Sequence, residues 1–124
     1  FGGKETSSTG FGLGFDRIME IAKMDGICRA PLYLAFTPDV KKEAAGIARN
    51  LRKSFPVIMD VMGRSLGAQI KAAAGSGADY VAIVGREEIE CGKITLRDMR
   101  GGEQESLSLA EIEERLKAHF QPLP

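Results

Sequence analysis

Three groups of residues in this 124-residue chain combine side chains that could contact nucleotides. The first group runs from Gly10 to Arg17, where glycine occupies every second position (Gly10, Gly12 and Gly14) before Asp16 and Arg17. A strand of this composition lets a flat ligand ring lie against the backbone, and the arginine after it can meet a phosphate with its rigid fork of donors. We expect a short strand at 10–14 and a helix over 15–23. The period-two spacing disfavours a dinucleotide-binding turn.

The second group lies where a buried strand ends. Gly85 closes that strand, Arg86 and Glu88 follow it, and Arg97 lies on a later strand. Open α/β sheets bind ligands beyond the carboxyl ends of their strands. Glu88 can accept a hydrogen bond from a base amine or imino group, and Arg97 can donate to a guanine edge or stack on a base. A solvated charged loop is the alternative interpretation of the same residues.

The third group surrounds the start of a predicted helix, where Ser65 can act as the N-cap. Arg64 before that helix and Lys71 within it could contact phosphates or bases, because a helix N-terminus attracts anions. Gln69 belongs to the same candidate set, although an ordinary surface position on an amphipathic helix suits it equally well.

Hydrophobic patterning predicts the elements that position these residues. Apolar runs at 32–36, 57–61 and 80–84 predict strands, and the segments between them show helical spacing. Residues 93–97 alternate as a strand, 100–103 predict a hairpin turn, and 105–107 a return strand; a Ser108–Glu111 capping box then begins a last helix. The order β-α-β-α-β-β-β-α predicts an α/β fold of three layers, α/β/α, with a mixed five-stranded sheet.

Composition limits the classes of function. Lysine plus arginine and aspartate plus glutamate are equal at 17 each, which argues against a non-specific nucleic-acid binder but permits recognition of a few unpaired bases. Cys28 and Cys91 are expected to be ordinary thiols, and His119 to be a surface residue rather than a metal ligand. The chain contains no apolar run long enough to span a bilayer, and we expect a cytoplasmic protein.

The string from Gly10 to Arg17 resembles the third signature motif of the class II aminoacyl-tRNA synthetases. The segment after it resembles the anticodon-binding domain shared by the histidyl, threonyl, prolyl and glycyl enzymes. Residues 63–66, 77–85 and 92–99 are most similar to the histidyl enzymes. The resemblance implies the end of a catalytic domain at 1–27 and an anticodon-binding domain at 28–124.

The resemblance also implies roles for the candidate residues. In a whole enzyme that ligates histidine to its tRNA with ATP and Mg²⁺, Gly10, Gly12 and Gly14 would flank the adenine and Arg17 would contact the γ-phosphate. The tRNA anticodon arm, expected to be that of tRNA-His, would be bound by six residues. These are Arg64, Gln69, Lys71, Arg86, Glu88 and Arg97.

The family's first two motifs and its histidine-pocket segments are not in this sequence. We therefore expect the isolated chain to be inactive in histidine activation. The resemblance implies a homodimer for the whole enzyme. Two alternatives stay open: the same domain from a threonyl, prolyl or glycyl enzyme, and a non-catalytic binding or regulatory module that has reused it.

Overall fold

Five strands form one sheet in the computed structural model, which describes residues 2–22 and 30–119. They are β1 (Leu32–Phe36), β2 (Val57–Met59), β3 (Tyr80–Val84), β4 (Ile94–Asp98) and β5 (Gln104–Leu107). The spatial order is β2-β1-β3-β4-β5. β1 runs parallel to β2 and β3, whereas β4 is antiparallel to β3 and β5. The predicted mixed five-stranded sheet is therefore confirmed.

Helices lie on both faces of this sheet. They are α2 (Lys41–Leu51), α3 (Leu66–Ser76), α4 (Arg86–Cys91) and α5 (Leu109–His119), with a 3-10 turn at Pro38–Val40 before α2. The helix that precedes them, α1 (Phe15–Ile21), contains no buried residue and belongs to neither core cluster. One core cluster joins Leu32 and Leu34 to α2 and to α5. The other joins Tyr33, Ala35 and Val81 to α3. Alternate residues of β1 and β3 thus pack into opposite cores, as the pleat requires, and the three-layer arrangement is confirmed.

The helix ends follow local rules. The Ser65 hydroxyl accepts from the Ala68 N–H at 3.4 Å, and Gly77 ends α3 in the left-handed region with φ +73°. Before α5, the Ser108 N–H donates to the Glu111 carboxylate at 2.7 Å and the Glu111 N–H donates to the Ser108 hydroxyl at 3.4 Å. This reciprocal pair confirms the predicted capping box, and it holds the pKa of Glu111 below its usual value.

Three expectations about elements were wrong. Residues 10–14 lie in no strand, because a strand needs a neighbour to complete its hydrogen bonds and no described strand pairs with them. β2 ends at Met59 rather than Val61. The segment after Gly85 forms α4, a six-residue helix that we did not predict.

Residues 2–22 differ from the sheet domain in exposure. Residues 2–21 are exposed, and α1 contains no buried residue. Apolar side chains are exposed there, with Phe11 at 93% and Ile21 at 82% exposure. α1 ends at Ile21, two residues before its predicted end at 23, because Ala22 is already extended with ψ 111°. The predicted domain boundary at 27/28 lies outside the described residues. Within residues 2–22 and 30–119, none of the helices is both long and apolar enough to cross a membrane.

Candidate nucleic-acid interface

Residues from two candidate groups follow the carboxyl ends of β2 and β3, whereas Arg97, opposite Val81, lies towards the amino end of β3. β1, β2 and β3 are parallel, so the segments that follow β2 and β3 begin at the same edge. The segment after β2, Asp60–Ser65, is the β2–α3 loop. The segment after β3 is Gly85 and helix α4. This is the edge at which open α/β sheets bind ligands.

The β2–α3 loop is organised by an aspartate that sequence reasoning missed. The Asp60 carboxylate accepts from the Arg64 backbone N–H at 3.0 Å and lies 3.3 Å from the Arg64 Nε. The Asp60 side chain is 1% exposed, whereas that of Arg64 is 46% exposed. Gly63 turns the loop with φ +69°, a conformation that favours glycine. Arg64 is therefore fixed at its base and open to solvent along its side chain.

Gln69 requires a correction, because it is not available to contact a tRNA. Its side chain is 1% exposed in the first turn of α3. The carboxamide oxygen accepts from the Phe36 N–H at 3.0 Å. The amide nitrogen donates to the Phe36 carbonyl at 3.0 Å and to the Arg64 carbonyl at 2.8 Å. Gln69 thus makes the two backbone hydrogen bonds of Phe36 that a neighbouring strand would otherwise make, because the pairing of β1 with β2 stops before Phe36.

The same corner perturbs a buried tyrosine. Tyr33 is 4% exposed on β1. Burial, followed by the nearby charge of Asp60, raises the pKa of Tyr33, while Arg64 opposes that rise. The charges of Asp60 and Arg64 therefore affect the ionisation of a tyrosine in the core between the sheet and α3.

At the second group, Glu88 caps its own helix. One carboxylate oxygen accepts from the Gly85 N–H at 2.9 Å, and the other accepts from the Thr95 hydroxyl at 3.4 Å. A Cβ on residue 85 would lie 2.8 Å from the Glu88 Oε2, so a side chain there would displace the end of the Glu88 carboxylate. Each carboxylate oxygen keeps a second lone pair, so Glu88 can still accept a hydrogen bond from a base.

Arg86 is paired across the edge of the sheet. Its Nε lies 3.2 Å from the Asp39 carboxylate, and its guanidinium also donates to the Asp39 carbonyl at 3.3 Å. Both side chains are about half exposed, at 53% and 49%. An exposed pair of this kind contributes little to stability and can rearrange when an anion approaches.

Arg97 lies on the open part of the sheet. In the β3–β4 register it stands opposite Val81, and in the β4–β5 register opposite Gln104. Its side chain is on the same face as Thr95, about 7 Å further along the strand. The guanidinium forms neither an ion pair nor a side-chain hydrogen bond with any residue that the structure describes. Its donors are therefore available to a ligand.

The structure thus brings the candidates together in two pairs. Glu88 and Arg97 share the region around Thr95. Arg64 and Gln69 share a hydrogen bond in the β2–α3 loop. Lys71 is exposed on α3. Gly10, Gly12, Gly14 and Arg17 all lie in the exposed segment 2–21.

Sequence reasoning missed two features of the loop besides Asp60. Val61 and Met62 are 82% and 72% exposed, which offers apolar surface beside Arg64. The sequence signal for this loop was Asp60 four residues before Arg64, with Gly63 between them. That spacing is compatible with a closed turn as well as with a continued strand.

Comparison with known proteins extends these observations. Residues 31–119 match the family described as "Anticodon binding domain". A histidine–tRNA ligase of Methanosarcina acetivorans is 49% identical over 116 residues, with 94% of this chain and 28% of the relative covered. One from Pyrococcus horikoshii is 37% identical over 123 residues, with the same two coverages. The chain therefore spans little more than a quarter of the length of these relatives.

A solved structure shows the same fold. The histidyl-tRNA synthetase from Nostoc sp. PCC 7120 superimposes with a TM-score of 0.67 at 24% sequence identity. The match covers 84% of this chain and 26% of that one.

Proposed function

This chain belongs to the anticodon binding domain family, and on that premise we propose that it binds the anticodon arm of a tRNA, with tRNA-His as its specific partner. The observation that carries the proposal is the guanidinium of Arg97, which forms no ion pair with any described residue and lies two residues along β4 from Thr95, the residue that Glu88 contacts. A fork of donors next to a carboxylate suits the exposed edges of unstacked bases. The relatives named histidine–tRNA ligase support tRNA-His as the partner.

The charges support recognition by a few defined contacts. Net charge is zero, so the whole molecule offers no general attraction for phosphates. We assign base contacts to Arg97 and Glu88, and phosphate contacts to Arg64, Arg86 and Lys71. Of the six residues first expected to bind tRNA, only Gln69 is left out of this set, because it is buried.

Binding of the 124-residue chain to a panel of tRNA transcripts tests the proposal. Fluorescence anisotropy at 50 mM and 200 mM salt should show tighter binding to tRNA-His than to tRNA-Thr, tRNA-Pro and tRNA-Gly. Replacing the three anticodon bases of tRNA-His should weaken binding at least tenfold. Equal binding to all four tRNAs, or indifference to the anticodon, would contradict the proposal.

We propose that the chain acts within a cytoplasmic, homodimeric enzyme, and the name histidine–tRNA ligase carried by its relatives supports the reaction assigned to that enzyme. ATP and Mg²⁺ would belong to that whole enzyme. The described residues do not form an ATP site, because Gly10, Gly12, Gly14 and Arg17 are exposed. A Cβ on any of these three glycines would also meet no atom within 4 Å. No step of nucleotide chemistry is therefore assigned to this chain.

The isolated chain should be inactive in ATP–pyrophosphate exchange with histidine. Acyl and phosphoryl chemistry requires several charge-stabilising groups at one centre, and a single exposed arginine does not supply them. Histidine-dependent exchange above a protein-free blank would contradict this assignment.

A further inference from the structure

The described residues contain only two buried polar or charged side chains, Asp60 and Gln69. Both converge on one exposed arginine. Asp60 accepts from the Arg64 N–H and lies against its Nε, while Gln69 donates to the Arg64 carbonyl. The backbone of Arg64 is therefore held on both sides by groups that cannot move without leaving the core unsatisfied.

The two contacts come from different elements. Asp60 follows β2, and Gln69 lies in α3, where it also binds both backbone groups of Phe36. A displacement of α3 or of the end of β1 would therefore move Arg64. Because burying a polar group requires that its hydrogen bonds be satisfied, this arrangement is more than a surface ion pair.

We propose that Asp60 and Gln69 are positioning residues that hold Arg64 ready for a phosphate of the tRNA anticodon arm. The inference rests on the proposed function, and it adds two residues that touch no ligand themselves. Holding the arginine before binding lowers the conformational entropy lost on association. The Arg64 guanidinium keeps its remaining donors directed towards solvent, since Asp60 uses only the Nε side.

The charge of Asp60 allows positioning of Arg64 to be distinguished from a purely electrostatic effect on RNA binding. A carboxylate near a phosphate-binding site repels RNA, so removing its charge should tighten binding if electrostatics alone mattered. Positioning predicts the opposite sign. Asp60→Asn keeps the size of the side chain but loses the charged contact with Arg64, and we expect tRNA affinity to fall three- to tenfold.

The test is a double-mutant cycle in the 124-residue chain, with tRNA affinity measured by anisotropy. Arg64→Met should weaken binding about tenfold and reduce the slope of log K against log salt by about 0.7, as expected for one lost phosphate contact on a single strand. Asp60→Asn should have no further effect in the Arg64→Met background. Asp79→Asn is the matched control, because it removes the same charge and a 2.9 Å ion pair with Arg100.

Each result decides the question. Binding by Asp60→Asn that equals or exceeds that of the unaltered chain would overturn the proposal, as would weakening that persists without Arg64. If Asp60→Asn does not fold, Arg64→Lys takes its place: it changes a half-exposed side chain, keeps the charge and loses the Nε that contacts Asp60, and binding equal to that of the unaltered chain would overturn the proposal.

A measurement that does not depend on tRNA distinguishes failure of the positioning proposal from failure of the proposed function. If the unaltered chain binds no tRNA, the proposed function fails, and ¹⁵N relaxation of the Arg64 Nε still decides positioning. An order parameter near 0.85 that falls below about 0.6 in Asp60→Asn would support it, and an unchanged value would overturn it.

Discussion

Arg64 and Arg97 are both candidate tRNA contacts, but the fold treats them differently. Arg64 belongs to a loop whose backbone is bound by Asp60 and Gln69. Arg97 lies on a regular strand, and its guanidinium has no partner among residues 2–22 and 30–119. One arginine is held by buried groups, and the other is free on an open face.

The difference shows two ways to present the same side chain. A restrained arginine has already lost conformational entropy during folding, so it loses less on binding and suits a phosphate at a fixed position. A free arginine can rotate to stack on a base or to donate to its edge, which suits bases that are splayed on binding. We expect mutations near Arg64 to affect folding and binding together, and mutations at Arg97 to affect binding alone.

The largest expected effect is a loss of stability when the hydrogen bonds of Gln69 around Arg64 are removed. Gln69→Leu should lower the free energy of unfolding by about 2–4 kcal/mol, because the two backbone groups of Phe36 and the Arg64 carbonyl lose their partner. Urea denaturation followed by circular dichroism measures it. Gln104→Leu, at an exposed position of β5, is the control and should change stability by less than about 0.5 kcal/mol. Similar losses in the two variants would show that the restraint on Arg64 is not part of the core.

The next effect is on binding by Arg97. Arg97→Ala should weaken tRNA binding about tenfold, or about 1.4 kcal/mol, with little change in unfolding free energy. Arg115→Ala on α5 removes the same charge from the opposite face of the sheet and should leave affinity within twofold. Equal losses in both variants would mean that only net charge matters, and the contrast between the two arginines would disappear.

Smaller effects are expected at Glu88, whose replacement should lower both the stability of the chain and its affinity for tRNA. Glu88→Gln should lower the free energy of unfolding by about 0.5–1 kcal/mol, because a neutral amide is a weaker cap for the Gly85 N–H. Affinity for tRNA should fall about threefold, less than for Arg97→Ala. Glu87→Gln, which is exposed on the same helix, is the control for the charge. A binding loss in Glu88→Gln as large as that of Arg97→Ala would place Glu88 first among the base contacts.

The smallest effect is a pH dependence that reports on the environment of Arg64. The pKa of Tyr33 is raised above 10.0 in the folded chain, so the unfolded chain ionises first as pH rises. The stability contribution is complete below pH 10 and is lost as pH rises through the folded pKa. Tyr33→Phe should therefore lose less stability than the unaltered chain between pH 9 and pH 11 in urea denaturation. Parallel losses in both chains would contradict the burial of the hydroxyl beside Asp60.

Local sequence patterns predicted most of the fold. The apolar runs of β1 and β3 and the capping box at Ser108 each depend on neighbouring residues, and all were found as expected. α4 was missed because six residues are too few to show helical periodicity, although Gly85 and Gly92 flank it and Glu88 stands at the third helical position. Short helices of this kind depend on their caps rather than on an apolar face.

The candidate site was harder to predict, because its key contacts are tertiary. Gln69 has the spacing of a surface residue, and its burial follows only from the departure of β2 at Met59. Asp60 looked like the continuation of a strand, although its carboxylate turns the chain towards Arg64 instead. Arg97 was found more easily, because strand alternation alone places it on the open face of the sheet.

The carboxamide of Gln69 has a consequence for how this domain can vary. By bonding both backbone groups of Phe36, one side chain completes the border of the sheet where the neighbouring strand has left it. Val61 and Met62 are exposed and take no part in the sheet, so these two residues can change without disturbing the strands, whereas Gly63 keeps the turn. A protein engineer could vary Val61 and Met62 to alter recognition, provided that Gln69 and the turn from Asp60 to Arg64 are kept.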